Sequence, residues 1–211
     1  MTDTVIAWLL AVPAAYLFGA IPTGYLIGRL WRGIDVRKYG SGGTGFTNVM
    51  RTLGKPAAIT VLTVDILKGV VPVLVVGLFT DSELIRAIAG SLAVVGHVYP
   101  VYTRFAGGRG VATAFGALIV LSPLTAGSAA IGILVIAATR YVSAGSLTGT
   151  FIAAVAMVVL IITGHHTPGL IVFVVAILVF IPIRHVGNIE RLMRGRERQI
   201  EGKAVPRRRS R

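Results

Sequence analysis

The sequence predicts an all-α integral membrane protein with seven transmembrane helices. Of its 211 residues, 55% are hydrophobic and 14% are charged, and the mean hydropathy is +0.81. This balance is typical of a chain whose surface faces lipid. No regular alternation of apolar and polar residues runs for about ten residues, which argues against a membrane β-barrel. The chain has no cysteine, which excludes disulfides, thiolate metal ligands and cysteine nucleophiles.

Seven apolar runs supply the predicted spans. They cover residues 5–30, 57–79, 84–99, 111–121, 124–139, 147–163 and 168–183. A full crossing needs about 20 residues, so several of these helices are short. Pro13 and Pro22 predict a kink in the first span. The first four residues lack the positive charge of a cleavable signal peptide, so we expect this span to be retained.

The distribution of basic residues predicts the orientation of the chain. With seven spans, one set of connections (29–56, 100–110, 140–146 and 184–211) holds 19 of the 21 Lys and Arg, and the other set holds only Arg86. The positive-inside rule therefore places the N-terminus outside and the C-terminus in the cytoplasm. The net charge of +13 is then explained by topology, and we expect no nucleic-acid partner.

Two parts are expected along the chain. Residues 1–183 form a single seven-helix membrane domain. Residues 184–211 form a cytoplasmic amphipathic helix followed by a basic tail, Arg207–Arg211, which is expected to lie near anionic lipid.

The central connection has an unusual composition for an apolar chain. It reads R-F-A-G-G-R-G-V-A-T-A-F-G over Arg104–Gly116. Gly107, Gly108 and Gly110 leave backbone N–H groups accessible to an anion, and Arg109 adds a full charge. The next residues predict a helix start, where unpaired N–H donors and the positive end of the helix dipole favour phosphate. The stretch predicts a phosphate cradle at a membrane face.

A second glycine-rich loop follows the first span. Ser41 and Thr47 offer hydroxyl groups, and Arg51 offers a guanidinium that can bind phosphate oxygens in bidentate fashion. The alternative is a flexible interfacial loop whose arginine faces lipid headgroups. The spacing Gly40-x-Gly42-x-x-Gly45 matches a dinucleotide fingerprint, but a membrane protein lacks the βαβ unit that the fingerprint requires.

Charged and histidine side chains within or beside the spans have structural explanations. Asp65 and Lys68 are three residues apart on one helical face, so a neutralising pair is favoured over a proton or ion path. His97 is most simply a hydrogen-bonded interfacial residue. His165 and His166 are adjacent and would diverge on a helix, which disfavours a metal site. No metal and no cofactor are expected.

The end of the last span carries a further polar pair. In R-H-V-G-N-I-E-R-L (Arg184–Leu192), His185 and Asn188 would share one face of a helix. An amphipathic helix lying on anionic lipid explains the same residues. Both interpretations hold if one edge of the helix faces headgroups and another faces a site.

Three segments resemble the signature regions of one family. They are Gly40–Gly54 (G-S-G-G-T-G-F-T-N-V-M-R-T-L-G), Gly96–Gly116 (G-H-V-Y-P followed by F-A-G-G-R-G-V-A-T-A-F-G) and Arg184–Leu192. D-I-L-K-G and R-Y-V-S, at Asp65–Gly69 and Arg140–Ser143, also lie where that family has similar residues. The chain thus resembles the bacterial acyl-phosphate:glycerol-3-phosphate acyltransferases of the PlsY type over nearly its whole length.

The resemblance implies an enzyme of the bacterial plasma membrane with its active site at the cytoplasmic face. It would move a fatty acyl group from acyl phosphate to the 1-hydroxyl of sn-glycerol 3-phosphate, giving lysophosphatidic acid and phosphate. The implied catalytic residues are Ser41, Arg51, Arg109, His185 and Asn188. The implied substrate-binding residues are Gly107, Gly108, Gly110, Thr47, Asn48 and Ser143. Glu197 resembles a structural acid that follows the third motif.

Four positions depart from the family pattern, which usually has Asn-Pro at Gly43-Thr44, alanine at Phe46 and lysine at Arg109. Direct attack by the glycerol hydroxyl is expected, because the residues suggest no Ser-His-Asp set and no paired carboxylates. Either His185 or the substrate's own phosphate would accept the proton.

A small transporter of a phosphorylated metabolite and a non-enzymatic membrane scaffold are the alternative functions.

Overall fold

The computed structural model describes residues 12–200, together with Val5 and Trp8. The basic tail and most of the N-terminal segment, including the predicted start of the first span, lie outside the described residues. In the described part the α-helices are α1 (Val12–Gly19), α2 (Thr23–Arg32), α3 (Phe46–Leu53), α4 (Lys55–Gly77), α5 (Glu83–Val98), α6 (Val111–Leu121), α7 (Pro123–Ala129), α8 (Ile131–Thr139), α9 (Val142–Ile162) and α10 (Ile171–Met193). Short 3₁₀ turns lie at Val36–Lys38, Val101–Thr103 and Pro168–Leu170.

The described chain is helical throughout, as the composition predicts. Four segments are long and apolar enough to cross a membrane: Lys55–Gly77, Glu83–Thr103, Val142–Ile162 and Pro168–Met193. Val111–Leu121 and Pro123–Thr139 are shorter apolar segments. The central helices bury one continuous apolar cluster, which includes Val73, Val94, Ala117, Phe173 and Ile177.

Two of the predicted spans are interrupted. The first is broken between α1 and α2 because Pro22 has no N–H to donate and disfavours helical geometry at Ile21. The run over residues 124–139 is divided into α7 and α8 at Ala130. The kink that the sequence predicts in the first span is therefore a complete break in the helix.

Glycines let three pairs of helices approach closely. A Cβ at Gly69 of α4 would collide with the backbone of α6, and a Cβ at Gly116 of α6 would collide with Ile66 of α4. Gly19 and Gly96 do the same between α1 and α5, as do Gly132 and Gly145 between α8 and α9. Small residues are the usual solution in a bilayer, where van der Waals contact has to replace the hydrophobic effect between helices.

A charged pair lies inside the α4–α5–α6 assembly. Lys68 Nζ donates to Asp65 Oδ1 at 2.7 Å, and both side chains are almost completely buried. The structural tie favoured by the three-residue spacing is present. Asp65 Oδ1 also lies 3.6 Å from Nδ1 of His97, so the tie reaches the end of α5.

The last helix continues well beyond the apolar run. α10 extends without a break from Ile171 to Met193, across residue 183, where the sequence predicts the membrane domain to end. His185 and Asn188 are both buried on this helix. The division of the chain at residue 183 remains a prediction.

Candidate functional site

A cavity of about 410 Å³ opens where the basic connections meet. All four of the arginine- and lysine-rich connections contribute to its lining: Ser41 and Arg51 from the first, Arg109 from the second, Ser143 from the third and Glu197 from the fourth. Segments that are far apart in the sequence therefore line the same cavity.

Eight of the eleven predicted site residues line this cavity. They are Ser41, Thr47, Asn48, Arg51, Gly108, Arg109, Gly110 and Ser143. Gly107, His185 and Asn188 are not part of the lining. They lie behind it, where Gly107 and Asn188 contact residues that do line the cavity.

The first loop is organised by a buried amide. Asn48 Nδ2 donates to the carbonyl oxygens of Val36 and Gly43 at 2.9 and 2.8 Å, and its Oδ1 accepts the backbone N–H of Ser41 at 3.0 Å. Both N–H donors of the amide are thus used within the loop. Asn48 positions Ser41 at the cavity rather than offering its amide hydrogens to a ligand.

Arg37 connects the first loop to the central loop. It forms an ion pair with Asp35 at 2.8 Å and donates to the carbonyl oxygen of Thr103 at 3.3 Å. Its guanidinium also lies 4.7 Å from the ring centroid of Tyr25, within cation–π distance. The hydrogen bonds from Arg37 outweigh partial burial and lower the pKa of Asp35. The two glycine-rich loops are therefore fixed relative to each other.

The glycines of the central loop have reasons that differ from the predicted one. A Cβ at Gly108 would collide with the imidazole of His97, and one at Gly107 would meet Pro100 and the backbone of α5. The N–H of Gly108 donates to the carbonyl oxygen of His97 at 3.1 Å. Close packing on the end of α5 therefore requires these two glycines, and Gly108 does not present its N–H to a ligand.

Gly110 has a conformational reason. It lies at the N-cap of α6 with φ +83°, in the left-handed region that favours glycine. This turn aims the start of α6 at the cavity, which Gly110, Val111 and Ala112 line. The first N–H groups of a helix have no intrahelical acceptor, so the start of α6 has the free donors that the sequence predicted for it.

Positive charge accumulates around the cavity. Burial and the nearby charges of Arg191, Arg51 and Arg184 lower the pKa of Arg109 to about 10, with Glu197 acting in the opposite direction. Burial, followed by the charge of Arg198, also lowers the pKa of Arg51. Both guanidiniums would gain stability from an added anion.

Arg51 also shows unsatisfied hydrogen-bonding capacity. Its Nη2 donates to the carbonyl oxygens of Arg198 and Gln199 at 3.2 and 2.6 Å. Its buried Nε has no hydrogen-bond partner among the described residues. An acceptor in the cavity would satisfy this group.

Residues 196–200 fold back against the cavity, which Glu197, Arg198 and Ile200 line, and they are held there by Glu197. Its carboxylate accepts from Ser143 Oγ at 2.9 Å, from Arg191 Nε at 2.8 Å and from the Asn188 amide. Burial raises the pKa of Glu197, but these three donors outweigh burial and lower it overall. Ser143 and Asn188 therefore hold the folded-back segment, and Glu197 has the structural role expected for it.

His185 has one nitrogen without a partner. The ring is fully buried, and its Nδ1 lies 2.8 Å from the carbonyl oxygen of Ile181. Because a carbonyl only accepts, Nδ1 carries the hydrogen, and Nε2 of the neutral ring carries the lone pair. Nε2 has no hydrogen-bond partner in the described part of the chain.

Three further residues contribute to this region. Arg184 donates to the carbonyl oxygens of Gly108 and Gly107 at 3.1 and 3.2 Å, although the sequence predicted no individual role for it. Asp65 and His97 both line the cavity, although a structural explanation was favoured for each. The available signal was position: Arg184 directly precedes His185, and His97 follows a glycine just before the central loop.

The other half of the cavity is apolar. α4, α6, α8, α9 and α10 contribute side chains there: Leu62, Ile66, Phe115, Leu118, Ile133, Ile136, Ala153, Ile177 and Ile181. Along α9 the lining extends from Ser143 to Ala153, about 15 Å at 1.5 Å per residue. The cavity thus joins a cationic end to a long apolar channel.

The fold and this cavity together define an integral membrane protein with an interior site for an amphiphile that has an anionic head. A family model described as glycerol-3-phosphate acyltransferase matches residues 9–195. The chain belongs to the glycerol-3-phosphate acyltransferase family, and the resemblance seen in its three motifs is confirmed. Because this is a family of enzymes, the transporter and scaffold alternatives are not supported.

Relatives and solved structures agree with this membership. A glycerol-3-phosphate acyltransferase of Trichlorobacter lovleyi is 43% identical over 92% of this chain and 98% of its own. One of Thermus thermophilus is 43% identical over 97% of this chain and 100% of its own. The crystal structure of PlsY (YgiH), an integral membrane glycerol 3-phosphate acyltransferase, in its glycerol 3-phosphate form has a TM-score of 0.82 and 38% identity. That match covers 90% of this chain and 94% of the PlsY chain.

Proposed function

We propose that this enzyme transfers a fatty acyl group from acyl phosphate to the 1-hydroxyl of sn-glycerol 3-phosphate. The bond between the acyl carbon and the phosphate oxygen breaks, an ester forms to the glycerol oxygen, and lysophosphatidic acid and inorganic phosphate are released. The observation that carries this proposal is the cavity itself, whose cationic end suits a phosphate and whose apolar half suits a fatty chain.

Stabilisation of the leaving phosphate is the main chemical task of the site. Arg109 and the first N–H groups of α6 surround the position that the donor phosphate would take, and preorganised donors of this kind lower the barrier most effectively. Ser41, Thr47 and Arg51 would hold the phosphate or the hydroxyls of the acceptor. Asn48, Ser143 and Asn188 would act by holding Ser41 and the folded-back segment in place.

The hydroxyl proton has two candidate acceptors, His185 Nε2 and a phosphate oxygen of the substrate. His185 is fully buried and does not line the cavity. The substrate phosphate is therefore the better supported acceptor, with His185 supporting the fold of α10 behind the site. Attack is direct, and no covalent enzyme intermediate is formed.

The membrane arrangement belongs to the same proposal. Seven crossings with the N-terminus outside would place the cavity at the cytoplasmic face of a bacterial plasma membrane, where glycerol 3-phosphate is soluble. The positive-inside distribution of Lys and Arg supports this orientation.

The test is an assay of the purified full chain in detergent with palmitoyl phosphate and radiolabelled glycerol 3-phosphate. Labelled lysophosphatidic acid should form in step with phosphate release. Arg109→Ala protein, purified in the same way, is the matched control for activity from a contaminating enzyme. Phosphate release no faster than in a blank without protein would overturn the proposal, and product formation with acyl-CoA but not acyl phosphate would overturn the donor assignment.

A further inference from the structure

Arg184 binds the central loop through two hydrogen bonds to backbone carbonyl oxygens. Its Nε donates to the carbonyl oxygen of Gly108 at 3.1 Å, and its Nη2 donates to that of Gly107 at 3.2 Å. Arg184 itself does not line the cavity. Its guanidinium lies 5.9 Å from the centre of the Tyr99 ring. This contact restrains the guanidinium from the α5 side.

The two peptide groups whose carbonyl oxygens bind Arg184 differ in what their N–H groups contact. In a trans peptide the C=O and N–H bonds point in opposite directions, and the described chain has no cis peptide. The peptide that ends in the Gly108 N–H is held on both sides, because that N–H donates to the His97 carbonyl at 3.1 Å. The next peptide has its C=O on Arg184 and its N–H at Arg109.

The N–H of Arg109 therefore points away from Arg184. Among the described residues no group accepts a hydrogen bond from it. Gly108 and Arg109 both line the cavity, next to the start of α6. The Arg109 N–H has no acceptor among the described residues, and an anion in the cavity would provide one.

We infer that Arg184 is a positioning residue that turns the Arg109 N–H into the cavity as a phosphate donor. The carbonyl oxygen of His97 holds the neighbouring peptide, and Arg184 and His97 together are called the clamp below. The planar guanidinium of arginine allows one side chain to bind two carbonyl groups. A lysine at this position would keep the charge but lose the fork. The inference deepens the proposed function, because it names the backbone donor of the phosphate site.

The experiment compares Arg184→Lys with Arg194→Lys. Arg194 is exposed at the end of the same helix, so it provides the same substitution away from the loop. Inorganic phosphate binding is measured by calorimetric titration of the purified full chain, and kcat and KM are measured for both substrates. We expect Arg184→Lys to weaken phosphate binding and one of the two kcat/KM values about tenfold or more, with an unchanged unfolding temperature. Arg194→Lys should change neither by more than about twofold.

Two results would overturn the inference. In one, Arg184→Lys binds phosphate as well as Arg194→Lys does. In the other, both kcat/KM values fall equally along with the unfolding temperature, as a purely structural role predicts. Wild-type protein that binds phosphate but transfers no acyl group would instead overturn the proposed function. The phosphate-binding comparison of the two variants would still test the role of Arg184.

A measurement on wild-type protein covers the case in which Arg184→Lys does not fold. Protein labelled with ¹⁵N-arginine gives one backbone amide signal for Arg109, assigned by its disappearance in Arg109→Lys. Titration with inorganic phosphate should shift this signal in a saturable way. An Arg109 amide signal that stays in place at saturating phosphate would disprove the orientation on which the clamp depends.

Discussion

At the scale of single residues, the cationic end of the cavity is a concentration of arginine around the Glu197 carboxylate. Arg51 and Arg109 have lowered pKa values because burial and neighbouring cations both disfavour their charge. Glu197 is the acid that contributes in the opposite direction, and its own oxygens are occupied by Ser143, Asn188 and Arg191. The excess positive charge is thus available to an incoming phosphate.

Arg109 gives the first prediction at this scale. Arg109→Lys should keep substantial activity, because an ammonium still supplies positive charge beside the leaving phosphate. Arg109→Ala should lower kcat about 10²–10³-fold, the usual loss when one preorganised donor is removed. Steady-state kinetics with acyl phosphate check this, and equal, near-normal rates for both variants would remove Arg109 from the site.

His185 gives the second. An asparagine there can still donate to the Ile181 carbonyl but has no basic nitrogen in place of Nε2. If a substrate phosphate takes the proton, His185→Asn should keep kcat within about tenfold of wild type. Loss of a true general base lowers the rate by about 10²–10⁴, so a fall of that size with normal KM values and a normal unfolding temperature would assign the proton to His185.

At the scale of helices, glycine contacts set the width of the cavity. α4 and α6 meet at Gly69 and Gly116, where the backbones touch directly. The two helices present Leu62, Ile66 and Phe115 to the apolar half of the cavity. Any separation of α4 from α6 would therefore change the packing beneath the phosphate site.

Gly116→Ala tests this arrangement. The added methyl group would collide with backbone atoms of Ile66, which cannot rotate away, and overpacking of this kind typically costs about 1–3 kcal/mol. Gly127→Ala is the matched control, because a Cβ there meets nothing within 4 Å and alanine is the better helix former. Thermal unfolding in detergent should show a lower midpoint for Gly116→Ala only. Equal midpoints for both variants would contradict the close contact.

At the scale of the whole molecule, the four basic connections come together at one end. The opposite end carries the Glu83 carboxylate, which accepts from His166 Nδ1 at 2.7 Å and from Thr167 N at 2.7 Å. The charge asymmetry along the bundle is the basis for its proposed orientation.

The absence of cysteine from the sequence allows a direct test of orientation. Asp81→Cys and Arg196→Cys place single thiols at exposed positions of the two ends. In intact cells a membrane-impermeant maleimide should label Asp81→Cys and not Arg196→Cys, and both should react after the membrane is permeabilised. Labelling of Arg196→Cys in intact cells would reverse the proposed topology.

The sequence by itself determined the helical membrane class, the family and eight of the residues that line the cavity. Hydropathy and the three motifs depend on residue type and spacing alone, so Ser41, Arg51, Arg109 and Ser143 could be selected without coordinates. Pro13 and Pro22 predicted an irregular first span, and the structure shows that the irregularity is a complete break between α1 and α2.

Only the tertiary structure decided what each polar group does. Gly107 and Gly108 are glycines because the loop lies against His97 and the end of α5, and a motif contains no information about that contact. The hydrogen bonds of Arg184 and Glu197 join residues from different connections. Side-chain chemistry is local and can be read from the sequence, whereas the direction of a backbone N–H depends on packing between helices that are far apart in the chain.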